Sequence, residues 1–437
     1  MTVSGWFVAL VAVGAVPVVL LDGWPGVLIW LAVLAVLLTI DLALAGSPRA
    51  LRISRSGPAR TRLGETVEST LLIANSGARR VRGVLRDAWQ PSAGARPARR
   101  PLLLPAGERR EFRTTLTPVR RGERRSAHVT IRSYGPLRLA ARQASIRVSG
   151  SIRVLPPFTS RKHLPSRLAR LRELDGRTSV MVRGQGTEFD SLREYVRGDD
   201  VRSIDWRATA RRRDPATGGA TLVVRTWRPE RDRRVVIVVD SGRTSAARIA
   251  DEPRIDTAFE ASLLLAALAT RAGDHVDLLV YDRLVRGRVQ GASGAALLAQ
   301  MVDAMAPIEP QLIETDWDVV PGLVRQVTSR RALVVLLTSI DAPGASRGLL
   351  SMLPQLARRH TVLVASVTDP GVVAASRERG DREQVYLAAA AERALLDASR
   401  VAAAIRQSGA EVVTGAPAEL PPMLADVYLA LKAAGRL

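Results

Sequence analysis

The chain opens on two long apolar stretches, continues in short alternations, and ends on apolar runs separated by helical periodicities. Up to Arg49 the only ionisable side chains are Asp22 and Asp41, which leaves Val3–Leu21 and Gly23–Ile40 uncharged. A hydrocarbon core about 30 Å thick takes roughly 20 apolar residues in helical form. The pattern therefore predicts a hairpin of two transmembrane helices over residues 1–48. Its turn is Asp22-Gly23-Trp24-Pro25-Gly26, with Trp24 suited to the headgroup level. A cleaved signal peptide fits poorly, because no Lys or Arg precedes the first stretch and a second follows at once. A buried hairpin of a soluble protein is the other alternative. Arg49, Arg52, Arg55, Arg60 and Arg62 follow the second stretch, whereas the turn carries only Asp22. The positive-inside rule then places both termini and the soluble domains on the cytoplasmic side of a multi-pass cell-membrane protein. Asp41 reads as a boundary residue near the interface rather than a proton relay.

From Arg49 to Pro157 the alternations Val67–Ala74, Val81–Leu85, Phe112–Leu116 and Val129–Arg132 are punctuated by Gly, Pro and Asn, as in Asn75-Ser76-Gly77. This spacing predicts an antiparallel β-sandwich over residues 49–157. A linker segment follows over 158–232. In it Leu164, Leu168, Leu171 and Leu174 recur at helical spacing, for a helix that packs on the next domain or lies on a membrane surface. From Arg233 the apolar strands Val235–Val239, Val276–Tyr281, Ala332–Leu337 and Thr361–Val367 alternate with helices around Ile255–Ala272, Ala295–Met305, Val319–Val327 and Leu349–Arg359. Helix Ala389–Gln407, a short strand Glu411–Thr414 and helix Leu420–Ala434 close the chain. Residues 233–437 thus read as a doubly wound α/β domain, a class whose sites lie at the carboxyl ends of the strands.

Charge adds a partner question. Lys and Arg number 64 against 42 Asp and Glu, a net charge of +22, with much of the excess in the first half. Anionic lipid and nucleic acid both suit such a balance, and so does a proteome-wide arginine bias. The arginines of the β segment (Arg96, Arg99, Arg100, Arg109, Arg110, Arg120, Arg121, Arg124, Arg125) lack interleaved aromatics for base stacking, which argues against single-stranded nucleic acid. There is no cysteine, so disulfides and thiolate metal sites are excluded. His128, His163, His275 and His360 are scattered, and Gly184-Gln185-Gly186 is only a fragment of a phosphate loop. With no Walker A loop, nucleophile elbow or H-E-x-x-H motif, the expectation is a protein that is not an enzyme. A metal-dependent hydrolase would need a constellation that is not found.

The most distinctive run is Arg193-Glu194-Tyr195-Val196-Arg197-Gly198-Asp199-Asp200-Val201-Arg202-Ser203-Ile204-Asp205-Trp206-Arg207. It resembles the signature of the domain of unknown function 58 family, R-E-Y-x-x-G-D-D-x-R-x-I-D-W, which in that family precedes a von Willebrand factor A-like domain. The order of anchor, β-rich segment, signature and α/β domain is similar too. The resemblance implies a von Willebrand factor A-like fold for the last domain. It also implies a MoxR-type AAA+ ATPase as partner, since members are often encoded beside one. The expected function is accordingly a membrane-anchored interaction or scaffold protein, with an Arg-rich binder of nucleic acid or anionic lipid as the alternative. Read from the residues, Arg193, Arg202, Arg207 and Arg211 can pair with Glu194, Asp199, Asp200 or Asp205 around Phe189, Leu192, Tyr195, Ile204 and Trp206. Such a segment is either a clasp on the α/β core or a recognition surface for a protein.

A von Willebrand factor A-like domain can carry a metal-ion-dependent adhesion site, D-x-S-x-S after the first strand plus a Thr and an Asp on later loops. Mg²⁺ takes about six hard oxygens, often including water. Asp240 matches the Asp of that motif and Thr244 can replace its last Ser, with Thr315 and Asp341 as later candidates. The pattern is degenerate, because Gly242 stands where the first Ser belongs and Arg243 brings a positive charge. Alternatively, Asp240 and Thr244 only cap the following helix.

Overall fold

The alternation between Arg49 and Pro157 is realised as two sheets that face each other across one apolar core. The computed structural model describes residues 2–20, 24–181, 188–197, 199–211, 221–228, 233–341, 343–344 and 346–437. It divides into two units, Met1–Pro157 and Phe158–Leu437.

The first unit runs β1 (Thr2–Val3), α1 (Gly5–Val13), α2 (Ala15–Leu20), α3 (Trp24–Leu44), β2 (Leu51–Ser56), β3 (Arg60–Arg62), β4 (Val67–Asn75), β5 (Val81–Trp89), β6 (Ala95–Arg96), β7 (Arg100–Leu104), β8 (Arg109–Leu116), β9 (Gly122–Tyr134) and β10 (Ala140–Leu155). One sheet has the order β1-β10-β9-β5-β7 with β3 also on β10, and the other β2-β4-β8-β6. Leu71 and Ile73 of β4 meet Val81, Leu85, Val129 and Ile131 of the opposite sheet in one cluster. The pairing of β3 with β10 is parallel, a departure from the wholly antiparallel expectation.

The anchor differs more. Among the described residues only α3 belongs to a helix long and apolar enough to cross a membrane. The first stretch is not one continuous span, because Gly14 separates α1 from α2. Pro25, expected in the turn, lies in the first turn of α3, where a missing N–H removes no helical bond. Asp22 and Gly23 are outside the described residues. Both ends of the apolar segment meet the turn between β9 and β10. At the start, Val3 pairs with Ala140 and the Ser4 N–H donates to the Leu139 carbonyl at 2.9 Å. At the end, the fully buried Asp41 accepts the N–H groups of Leu137 at 2.8 Å, Leu139 at 2.8 Å and Ala140 at 2.9 Å. A Cβ on Gly14 would run into the Trp30 indole, so the small residue permits α1 to approach α3.

Arg55 is not a membrane-flanking charge. It lies between the sheets, bidentate to Asp87 at 2.9 and 2.7 Å, and also donates to Ser69 and Ser126. Asp87 in turn accepts the Trp89 indole N–H at 2.9 Å.

The second unit begins with α4 (Leu164–Met181), followed by β11 (Glu188–Glu194), α5 (Trp206–Arg211) and β12 (Val223–Arg228). The α/β layer comprises β13 (Arg234–Asp240), the short ribbon β14 (Arg248–Ile249) and β15 (Glu252–Pro253), α6 (Arg254–Arg271), β16 (His275–Tyr281), β17 (Val285–Val289), α7 (Gly294–Met305), α8 (Val320–Val327), β18 (Leu333–Leu337), α9 (Arg347–Ala357), β19 (Thr361–Val367), α10 (Pro370–Ala375), α11 (Arg382–Gln407), β20 (Glu411–Gly415) and α12 (Leu420–Ala433). Helix α4 packs on this layer, with Leu171 buried and Arg167 and Arg170 both paired to Asp426 of α12 at 2.8 and 2.7 Å. The main sheet has the order β17-β16-β13-β18-β19-β20. All pairings are parallel except that of β17, an edge strand rich in arginine whose Val-Arg-Gly-Arg-Val sequence carries no apolar run. Helix α11 starts earlier than its periodicity indicates, because Asp381 caps it by accepting the Gln384 N–H at 2.8 Å.

Candidate functional site

The chain leaves β13 toward β16 on one side and β18 on the other, so the sheet order reverses at β13. In such sheets the crevice beyond the strand ends at this point is the natural binding position. Asp240 ends β13 there, buried in the sheet's own apolar surroundings. Its Oδ2 accepts the Thr338 hydroxyl, just past β18, at 2.7 Å. Its Oδ1 accepts the Thr315 hydroxyl at 2.5 Å and the Gly242 N–H at 2.8 Å. Ser241 turns the other way and donates to Asp282 Oδ2 at 3.0 Å, and Arg286 pairs with that same oxygen at 2.8 Å. Asp282 therefore lies below the usual carboxylate range: burial pushes it up, but Arg286, the N–H groups of Arg283 and Leu284, and Ser241 outweigh that. Asp240 lies above it, chiefly through burial and also through repulsion by Asp282, against the donors Thr315, Thr338 and Gly242.

Asp240, Thr244, Thr315 and Asp341, drawn from three separate stretches of sequence, all line one pocket of about 20 Å³ together with Thr338. That volume holds one water or one small ion and no organic substrate. The rim charges are already paired, Arg243 with Glu314 at 2.5 Å and Arg254 with Asp341 at 3.1 Å. Asp341 is thus in the pocket but engaged by an arginine that the sequence reading did not connect to it. Thr338 was passed over as a ligand because a Thr closing an apolar strand carries no signal of its own. Gly242 is explained by contact: a Cβ there would run into the Thr315 hydroxyl. The hydroxyl lost at position 242 is replaced, in space, by that of Thr315.

Asp240, Thr315, Thr338 and Thr244 are the oxygen groups here that could hold a small hard cation. Asp240 is buried with no ion-pair partner among the described residues, and Thr315, Thr338 and Thr244 can rotate their hydrogens away to offer lone pairs. Only one carboxylate is uncompensated, and no group of three or more His, Cys, Asp or Glu side chains forms a metal cluster among the described residues. The alternative in which Asp240 caps the next turn also has its counterpart, in the Gly242 bond.

The second candidate is the signature run, built on the antiparallel ribbon of β11 and β12. Arg193 pairs with Asp199 at 2.8 and 2.6 Å, and Asp199 also accepts the Val196 N–H. Asp200 accepts the Arg202 N–H at 3.0 Å. Asp205 caps α5 by accepting the N–H groups of Arg207 and Ala208, and pairs with Arg225 at 2.7 Å. The Ala208 N–H first, then Arg225, hold its carboxyl below the usual range. The Arg193–Asp199 pairing follows the sequence expectation, whereas Arg225 as partner of Asp205 was missed because it lies on the returning strand. Tyr195 is half-buried and its N–H donates to the Leu222 carbonyl, and the Glu194 carbonyl accepts from Arg193. Gly198 lies outside the described residues, as do Gly184, Gln185 and Gly186. Asp199 and Asp205 are engaged by arginines inside the module, whereas Glu194 and Asp200 are exposed. Trp206 is 66% exposed, beside Arg202 and Arg207, whose guanidinium groups have no carboxylate partner among the described residues.

Residues 191–407 match the family model described as protein of unknown function DUF58. Uncharacterized proteins of Mycobacterium tuberculosis and Mycobacterium bovis are 27% identical to the chain over 192 residues, 44% of this chain and 57% of theirs. The chain therefore spans little more than half the length of these curated relatives. Among solved structures, the CARDB domain of the PF1109 protein from Pyrococcus furiosus matches 24% of this chain and 91% of its own at 14% identity, with a TM-score of 0.18. A β-glucosidase from Listeria innocua matches 23% of this chain and 16% of its own at 18% identity, with a TM-score of 0.15. Scores this low carry no argument about fold or function.

Proposed function

We propose that this is a membrane-anchored docking protein whose second unit holds a cytoplasmic protein partner through the signature module. The observation that carries the reading is the exposed Trp206 next to Arg207 and near Arg202 in sequence, neither guanidinium paired with a carboxylate among the described residues, while Asp199 and Asp205 are held by Arg193 and Arg225. Tryptophan and arginine are the residue types that dominate the centres of protein interfaces. The family resemblance suggests a MoxR-type AAA+ ATPase as the partner and a von Willebrand factor A-like identity for the α/β layer. The reversal of sheet order at Asp240 supports the latter. The anchor reading rests on α3, at about 1.5 Å per residue long enough to cross. Since both ends of the apolar segment return to the same β-turn, α1 and α2 are read as a shorter, broken second crossing, with both soluble units cytoplasmic.

Co-purification tests the function. The full chain in detergent should retain the AAA+ ATPase encoded nearest to it, and Trp206→Ala with Arg207→Glu should release it. Equal retention by wild type and variant, or none by either with and without nucleotide, contradicts the proposal.

A second reading concerns the switch-point pocket, where Asp240 is buried without an ion pair. Asp240, Thr315, Thr338 and Thr244 would hold Mg²⁺. When bound, it would supply a positive charge with open positions for an acidic group of the partner.

A further inference from the structure

We infer that the first unit carries a binding groove for an anionic phospholipid, at the end of the sandwich where the apolar helices emerge. This rests on the membrane reading proposed above but not on the docking partner. The groove has about 970 Å³ of open volume and runs from the start of α1 across β5, β7 and β8 to the β9–β10 turn. Its apolar lining is Trp6, Leu103 and Phe112, and its cationic lining includes Arg80, Arg82 and Arg138. Trp6 is 71% exposed and Leu103 is 50% exposed, so the lining is open to whatever surrounds the helix. No carboxylate pairs with Arg80, Arg82 or Arg138 among the described residues, whereas Arg110 is paired with Glu108 and Glu111 with Arg113.

The depth of the groove follows from the clasp at Asp41. That carboxylate holds the amides on either side of Arg138, those of Leu137 and Leu139, and Ser4 is bonded to the Leu139 carbonyl. Arg138 therefore sits at the level where α1 begins and α3 ends, which for membrane helices is the headgroup level. Its backbone is left-handed (φ 56°), an uncommon conformation for a non-glycine residue, in the turn so clasped. Unpaired arginines at that level attract a lipid phosphate, and the tryptophan, leucine and phenylalanine beside them accept an acyl chain. A soluble anion would satisfy the arginines but leave the apolar lining uncovered.

The test uses the full chain in nanodiscs of phosphatidylcholine, with and without phosphatidylglycerol, and counts retained lipid by native mass spectrometry. Arg80→Gln with Arg82→Gln is compared with Arg49→Gln with Arg52→Gln, which removes the same charge outside the groove. The groove variant is expected to lower the preference for phosphatidylglycerol about tenfold or more, and the control variant far less. Equal losses in both, or none in the groove variant, overturn the groove. Failure of the wild-type chain to enter either nanodisc defeats the membrane reading instead. Leu103→Ser supplies an independent arm, because it keeps every charge: it should shorten lipid retention, and unchanged retention counts against the acyl contact.

Discussion

Asp41 and Asp87 of the first unit and Asp240 of the second are all buried carboxylates, yet they meet different kinds of donor. In the first, Asp41 receives three backbone N–H groups and Asp87 receives a bidentate arginine plus an indole N–H. In the second, Asp282 and Asp274 are paired with Arg286 and Lys432, but Asp240 is met by two hydroxyls and one N–H, with no cation among the described residues. Donors that cannot turn away make a lock: backbone amides fixed in a β-turn at Asp41, and a bidentate guanidinium at Asp87. Two of the three donors at Asp240 are hydroxyls, which can turn their hydrogens away and leave lone pairs toward a positive group. The contrast separates carboxylates held by fixed donors from one met mainly by donors that can turn.

The largest effect should come from breaking the first lock. Arg55→Ala strands Asp87 between the sheets and should cost about 3–5 kcal/mol, read as a fall in the thermal midpoint of the first unit. A loss below about 1 kcal/mol would mean that the pair is not buried as described. Asp41→Ala orphans three amides of the β9–β10 turn and should cost roughly 3 kcal/mol. Hydrogen exchange should localise the change to residues 137–140, and unchanged protection there would refute the clasp.

Asp240→Asn should act in the other direction. Burial raises the carboxyl above its ordinary 3.8, so the folded state binds its proton more tightly than the unfolded chain does. That contribution is fully present below pH ~4 and is lost as pH rises through the folded value. Without metal, the amide should therefore stabilise the second unit at neutral pH, by about 1.4 kcal/mol for each pH unit of displacement, and the gain should vanish in acid. The amide nitrogen can face Thr338, whose hydroxyl turns to accept. Millimolar Mg²⁺ should raise the midpoint of the wild type and leave the variant unmoved; a variant less stable than metal-free wild type at pH 7 would contradict this account. The smallest change in stability is expected at Trp206→Ala, within about 0.5 kcal/mol, since the indole is mostly in solvent. A larger loss would make Trp206 structural and remove the main support for docking.

Much of the second unit was legible in sequence because its central strands are buried on both faces and read as unbroken apolar runs. An Asp closing the first such run, with Thr244, Thr315 and Asp341, was named through the adhesion-site motif that the family resemblance implies, and all four line the pocket. The edge strand β17 was not legible, since Val285, Arg286 and Arg288 are exposed and only Val289 is buried. The first apolar stretch read as one span on hydropathy alone, but hydropathy does not register the break at Gly14.

The sequence alone determined which segments are apolar, which are amphipathic, and where a polar residue ends a buried strand, because those properties depend on neighbours along the chain. Only the tertiary structure decided the roles of the charges. Asp41 meets amides nearly 100 positions away and Arg55 meets Asp87 from a different sheet, whereas Asp341 is drawn to Arg254 instead of to Asp240. Which partner a carboxylate finds depends on strand register and loop path. Those are set by packing the whole unit, and no local pattern of residues encodes them.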